Sequence, residues 1–189
     1  MGLFGKNVAN VSSGSSAPTS TPSKIGDIYV DTTNKKFYKA AGTSSGADWV
    51  LQNGSYTLQV MTSASMNPVS ATTYYFGNLC PDGSSLKTYF SAQRIYPQGT
   101  GTITRVNLYF SYNSLGTTEA SSLYIRVNGT TDYLVTSSFV VSAVGVYVSV
   151  TGLSIPIAAG DYFYFKWITP TWVTAPIGMG VQGTVGVDL

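Results

Sequence analysis

The chain has 189 residues, a formal net charge of +2 and only 10% charged side chains, where an ordinary soluble domain carries roughly 25%. So small a charge makes no electrostatic case for nucleic acid. One cysteine with no histidine excludes an internal disulfide and the usual zinc ligand sets. Aromatics at 13%, with 14 tyrosines among them, favour pleated, half-buried surfaces, so the expected class is all-β.

The first element is "MGLFGKNVANV", with Leu3, Phe4, Val8 and Val11 at helix-like spacing. It is too short for a stable lone helix. It reads either as a peptide that docks on another protein or as a terminus packed on its own chain. "MGLFGK" begins like a myristoylation site, but Lys6 stands where Ser or Thr is required. No secretory apolar run and no stretch of about 18 apolar residues is present, so membrane insertion is not expected. "SSGSSAPTSTPS", Ser12 to Ser23, has the composition of a linker with nothing to bury. Residues 1–23 are thus expected to be an anchoring arm and its linker.

Residues 24–53 follow as a small aromatic β module. Ile28-Tyr29-Val30 is a strand and Asp31-Thr32-Thr33-Asn34 is turn chemistry. Lys36-Phe37-Tyr38-Lys39 returns, and Asp48-Trp49-Val50-Leu51 adds a third strand. Tyr29, Phe37 or Tyr38, and Trp49 are placed to make one cross-strand cluster. A piece this size is too small for a core of its own. Its lysines, Lys24, Lys35, Lys36 and Lys39, read as a solvated face or a guarded edge ahead of a phosphate site. "GDIYVDTTNKKFYKA…ADWV" resembles a module of bacteriophage fibre proteins with the pattern Gly-Asp-x-Tyr-x-Asp followed by Tyr and then Trp. Gly26, Asp27, Tyr29, Asp31, Tyr38 and Trp49 carry the match. The resemblance implies a collar whose core is completed by neighbours.

A connector is expected over 54–60 and a head domain over 61–189. Strand-like runs fill the head. "TITRVNLYFSYN" puts Ile103, Arg105, Asn107 and Tyr109 on one face and Val106, Leu108, Phe110 and Tyr112 on the other. "SLYIRVNG" alternates likewise and turns at Asn128-Gly129, and Gly160-Asp161 opens another strand. Roughly six to eight strands fit a sandwich or jelly roll. "LSIPIAAGDYFYFKWITPTW" resembles the jelly-roll tips of phage fibres, akin to C1q/TNF-like heads, through Ala159, Gly160, Asp161, Lys166 and Trp167. That resemblance implies a homotrimer. The last strand, with Gly178, Gly180, Gly183 and Gly186, reads either as close backbone packing near a symmetry axis or as a bulged edge strand. Trp172, between Pro170 and Pro176, reads either as an exposed platform for sugar or protein or as a plug in the end of the sandwich.

Chemistry is sparse. Cys80 lacks the histidine a thiol nucleophile ordinarily uses and reads as a buried apolar residue. Asp82 and Asp161 stand beside glycines in turns, and no pair of carboxylates is marked out for glycoside hydrolysis. No Walker loop, dinucleotide fingerprint or EF-hand occurs, so no cofactor and no enzyme activity are expected. The resemblances imply a virion-surface protein, a short phage head fibre or capsid decoration protein. Its arm would hold a capsid or other virion protein, and its tip would face outward for weak host attachment. The alternative is a tail-fibre tip that recognises a bacterial surface glycan or protein, with Trp172 as its anchor.

Overall fold

The structure, a computed structural model, describes residues 9–52, 54–61, 67–77 and 93–189. Leu3, Phe4, Val8, Cys80 and the Pro81-Asp82-Gly83 turn lie outside them. The chain forms two compact units, Met1–Gly54 and Ser55–Leu189.

The first unit is a four-stranded sheet in the order β1-β2-β3-β4. Its strands are β1 (Val11–Gly14), β2 (Ile28–Asp31), β3 (Lys36–Ala40) and β4 (Trp49–Leu51), and a 3-10 turn at Gly46–Asp48 leads into β4. The hairpin and third strand stand where the sequence places them. β1 does not: it runs through the start of the expected linker and pairs in parallel with β2, Val11 opposite Ile28 and Gly14 opposite Asp31. The helix-like spacing of Val11 is therefore not realised, since Val11 opens a strand. Ser, Ser and Gly have little strand propensity, and pairing with an existing edge supplies what propensity lacks.

The second unit is a sandwich of two four-stranded sheets, in the orders β10-β7-β12-β5 and β6-β11-β8-β9. β5 (Ser55–Met61), β6 (Thr73–Phe76), β7 (Gly101–Ser111) and β8 (Ala120–Val127) run first. β9 (Thr131–Val140), β10 (Gly145–Ile157), β11 (Phe163–Ile168) and β12 (Gly180–Asp188) follow. The antiparallel pairings nest: β5 with β12, β6 with β11, β7 with β10, β8 with β9. A long hairpin rolled on itself in this way is a jelly roll. The expected connector is thus a correction: Tyr56, Leu58 and Val60 alternate inward along β5, and Val60 is in the core.

Aromatic rings fill the space between the sheets. Phe76 stacks on Phe165 at 5.0 Å, Phe110 meets Phe139 at 4.4 Å, and Trp167 lies 5.9 Å from both Tyr74 and Trp172. Register shifts interrupt three pairings, β7 with β10, β7 with β12 and β8 with β9, and the second bears on the sequence pattern. β12 skips a residue against β7, pairing Gly186 with Arg105 and then Val187 with Ile103. The bulge turns Ile103 into the core, where it is fully buried, and leaves Arg105 outside. The face expected to hold both therefore does not exist.

Two glycine-led turns form as the sequence implies. Asn128 and Gly129 have φ of 51° and 74°, the geometry of a two-residue hairpin, and Gly160 has φ of 90°. Asp161 then holds the second turn. Its carboxylate accepts from Asn128 Nδ2 and from the Ala158 amide, each at 2.7 Å, and these bonds, the Asn128 one first, lower its pKa.

Candidate functional site

In the first unit the polar residues of the Gly-Asp-x-Tyr-x-Asp pattern are structural knots. Asp27, 2% exposed, accepts from the Asn10 amide at 2.8 Å, Ser23 Oγ at 2.8 Å and the Lys24 amide at 2.9 Å, with Asn10 Nδ2 at 3.3 Å. The Asn10 amide above all, with the other donors, holds its carboxyl down at about 2. Asp31, 1% exposed, accepts from Asn34 Nδ2 at 2.8 Å and from the Asn34 and Thr33 amides at 3.0 and 3.1 Å, which lowers its pKa too. Gly26 holds φ at 91°, which an L side chain rarely adopts. Tyr29 lies 6.4 Å from Tyr38 and 5.9 Å from Trp49, ring centre to ring centre. Trp49 Nε1 donates to the Ser20 carbonyl at 2.8 Å, and Pro22 is buried. The Ser/Pro/Thr stretch is thus tied across the hairpin, which the sequence reading missed. The signal available was Asp27 itself, a carboxylate with no cation beside it that needs N–H donors from somewhere.

Trp172 is a correction. It is 5% exposed, packed against Trp167, and offers no platform to solvent. Its amide accepts no outward role either, donating to Ser70 Oγ at 3.1 Å. The expected plug is what the packing of the head requires. Next to it Val173 points out, and its amide donates to Thr117 Oγ1 and Glu119 Oε1. The Thr117 hydroxyl is the main cause that lowers the Glu119 pKa.

The glycines of β12 resolve to intrachain packing, since β12 lies inside its sheet and is not an edge. A Cβ on Gly183 would strike the Asn107 carbonyl and stand 2.8 Å from Leu108 Cα. Gly186 leaves room for the Arg105 side chain to lie across it, and Gly145 on β10 does the same for Tyr109.

Levelled in this way, the outer face of β10-β7-β12-β5 presents two rows across the strands. One is Met61, Gln182, Tyr109 and Tyr147; the next is Gln59, Thr184, Asn107 and Ser149. Neither row contains a charge. Tyr109 and Tyr147 pack at 4.7 Å, and Ser149 Oγ donates to Asn107 Oδ1 at 2.7 Å. A shallow depression of about 340 Å³ lies over these rows. Beside them run two edge strands, β9 and β10, each paired on one side only. No charged residue occurs between Asp132 and Asp161, a stretch that includes nearly all of both strands. A groove of about 370 Å³ follows their seam, lined by Thr136, Ser138, Phe139, Val146 and Val148 among others. Free edges are ordinarily guarded by charge, so long uncharged ones mark surfaces that pair or pack. Charge lies elsewhere: Arg105, on the next row of the same sheet, pairs with Asp188 at 3.6 Å, and the other sheet has its own ion pairs. There Asp132 holds Lys166 at 2.6 Å and Arg126 at 3.0 Å.

Among the described residues no group of three or more His, Cys, Asp or Glu is gathered to hold a metal ion, and no helix is long and apolar enough to cross a membrane. No protein-family model matches the chain, and no curated protein matches it. Two solved structures are similar over 72% of the chain. The crystal structure of FLHE is 14% identical, with 98% of that chain covered and a TM-score of 0.38. Desmodium yellow mottle tymovirus is 11% identical, with 86% of that chain covered and a TM-score of 0.25. Likenesses this distant carry no functional argument.

Proposed function

We propose that the chain is a virion structural protein, a short phage head fibre or capsid decoration protein, whose jelly roll assembles as a homotrimer and faces outward. The observation that carries the assembly is the presence, in the same jelly roll, of two adjacent uncharged rows on a levelled sheet face and of an uncharged, unguarded edge. The two surfaces differ, so packing the edge of one copy on the face of the next is heterologous, and such contacts close into a ring when the rotation allows. Three is the number that the C1q/TNF-like resemblance implies. The virion assignment itself rests on the two fibre-protein resemblances, in the collar pattern and in the head.

The burial of Trp172 takes the anchor away from the glycan-tip alternative. The exposed apolar residues near it, Val69, Leu115, Val173 and Ile177, are aliphatic. They lack the flat rings on which sugars stack.

The virion assignment is tested by mass spectrometry of purified particles from the source that encodes the chain. The expected result is the full chain as a multi-copy particle component. Its absence from intact particles overturns the assignment.

A further inference from the structure

The sheet of the first unit is apolar on the side that faces water. Side chains alternate along each strand, so register sorts them. Tyr29, Tyr38 and Trp49 share one face with Asp27, Asp31 and Ala40, and the segment that reaches Trp49 through Ser20 belongs to that side. Across the opposite face run Val11, Ile28, Lys39 and Val50 in one row, and Ser13, Val30 and Phe37 in the next. None of these seven is buried. Val11 is 71% exposed, Phe37 48% and Val50 46%. A contiguous apolar face on so small a unit marks an interaction surface.

Charge says what covers it. All three carboxylates of the unit are consumed internally: Asp27 and Asp31 in their knots, and Asp48 in a capping box with Ser45 and the Ser44 amide. Among the described residues of the unit the lysines are Lys24, Lys35, Lys36 and Lys39, and each is exposed. Asp27 and Asp31 are buried and Asp48 is half-buried, so the fully exposed charge among the described residues of the unit is cationic, and Lys39 stands inside the apolar row between Ile28 and Val50. Two copies stacked on this face would bring their Lys39 ammonium groups together, a like-charge contact that opposes self-pairing. A partner with apolar groups and carboxylates satisfies both features.

We propose that this face, Val11, Ile28, Val30, Phe37 and Val50 around Lys39, docks the chain onto a different protein whose surface is apolar and acidic. The face stands on the register and exposures alone; only the expectation that the partner is a virion protein rests on the function proposed above. It also replaces the arm-only anchor with a folded one, in which Val11 takes part.

The test is zero-length carbodiimide cross-linking of the full chain in the cells that produce it, read by mass spectrometry. Wild type is compared with Phe37→Asp, Val50→Asp and, as a head control, Val173→Asp. Near-ultraviolet dichroism checks that each variant keeps its aromatic packing. The expected result is Lys39 joined to an Asp or Glu of a second protein. That yield falls by about tenfold or more in Phe37→Asp and Val50→Asp and is retained in Val173→Asp. No cross-link at Lys39, one only between copies of this chain, or one that survives both face variants overturns the dock. A partner that is no virion component leaves the dock standing and overturns the virion assignment instead.

Discussion

The two units solve the same problem in opposite ways. The head encloses Phe76, Phe110, Phe165 and Trp167 between two sheets, and among its described residues it buries no charged side chain. The first unit buries two carboxylates and leaves Val11, Phe37 and Val50 in water. A head of eight strands has room for a dry core, whereas a sheet of four short strands does not. The module therefore takes its order from directed hydrogen bonds, and its apolar residues are free to meet another molecule. Apolar burial tolerates a change of pH; carboxylate knots do not.

Breaking the head core should have the largest effect. Trp167→Ala, at a fully buried site, is expected to cost about 3–5 kcal/mol and to lower the head's unfolding midpoint, followed by thermal unfolding of the full chain. Amide exchange in β2 and β3 should stay at wild-type rates. Equal loss of protection in both units would remove the contrast. Next comes Gly183→Ala. Its Cβ meets backbone, which cannot step aside as a side-chain tip can, so about 1–3 kcal/mol is expected from denaturant midpoints.

Acid should act in reverse, on the module first. Asp27 is held at about 2, below its ordinary value of 3.8, so the unfolded form takes up the proton more readily. The stability from this knot is present above the unfolded value and drains away as pH falls from about 4 towards 2. The Ile28 amide, which donates to the Asn10 carbonyl at 2.8 Å beside the knot, reports it by hydrogen exchange. Its protection is expected to drop across that window before that of the β7 amides. Protection unchanged at pH 2 would show that the Asp27 bonds do not hold β1. The smallest effect belongs to Gly186→Ala, where the Arg105 side chain must swing aside from Cγ outward while the backbone is spared, at a cost of about 1 kcal/mol.

Much of this was legible in the chain. Alternation marks β7 and β8, Asn128-Gly129 marks the turn from β8 to β9, and the Gly-Asp pattern marks the module. What was hidden has specific causes. β1 consists of Val11, Ser12, Ser13 and Gly14, a strand made by its neighbour rather than by its own residues. The bulge at Arg105 and Ile103 depends on a register with β12, some eighty positions away, that no local pattern contains. Trp172 looks exposed because prolines flank it, and only the approach of Trp167 and Ser70 shows it to be enclosed. The two uncharged rows became visible only when four strands distant in sequence were laid side by side.

The most direct measurement is the native mass of the full chain by light scattering, for wild type and for Tyr147→Lys and Ser138→Lys. These put a cation on the levelled face and on the unguarded edge. The expected wild-type mass is near three times the 20.0 kDa chain, with a shift to the single-chain mass in both variants and the β-sheet dichroism unchanged. A wild-type chain at 20.0 kDa over the whole concentration range, or a trimer that both lysines leave intact, would contradict it.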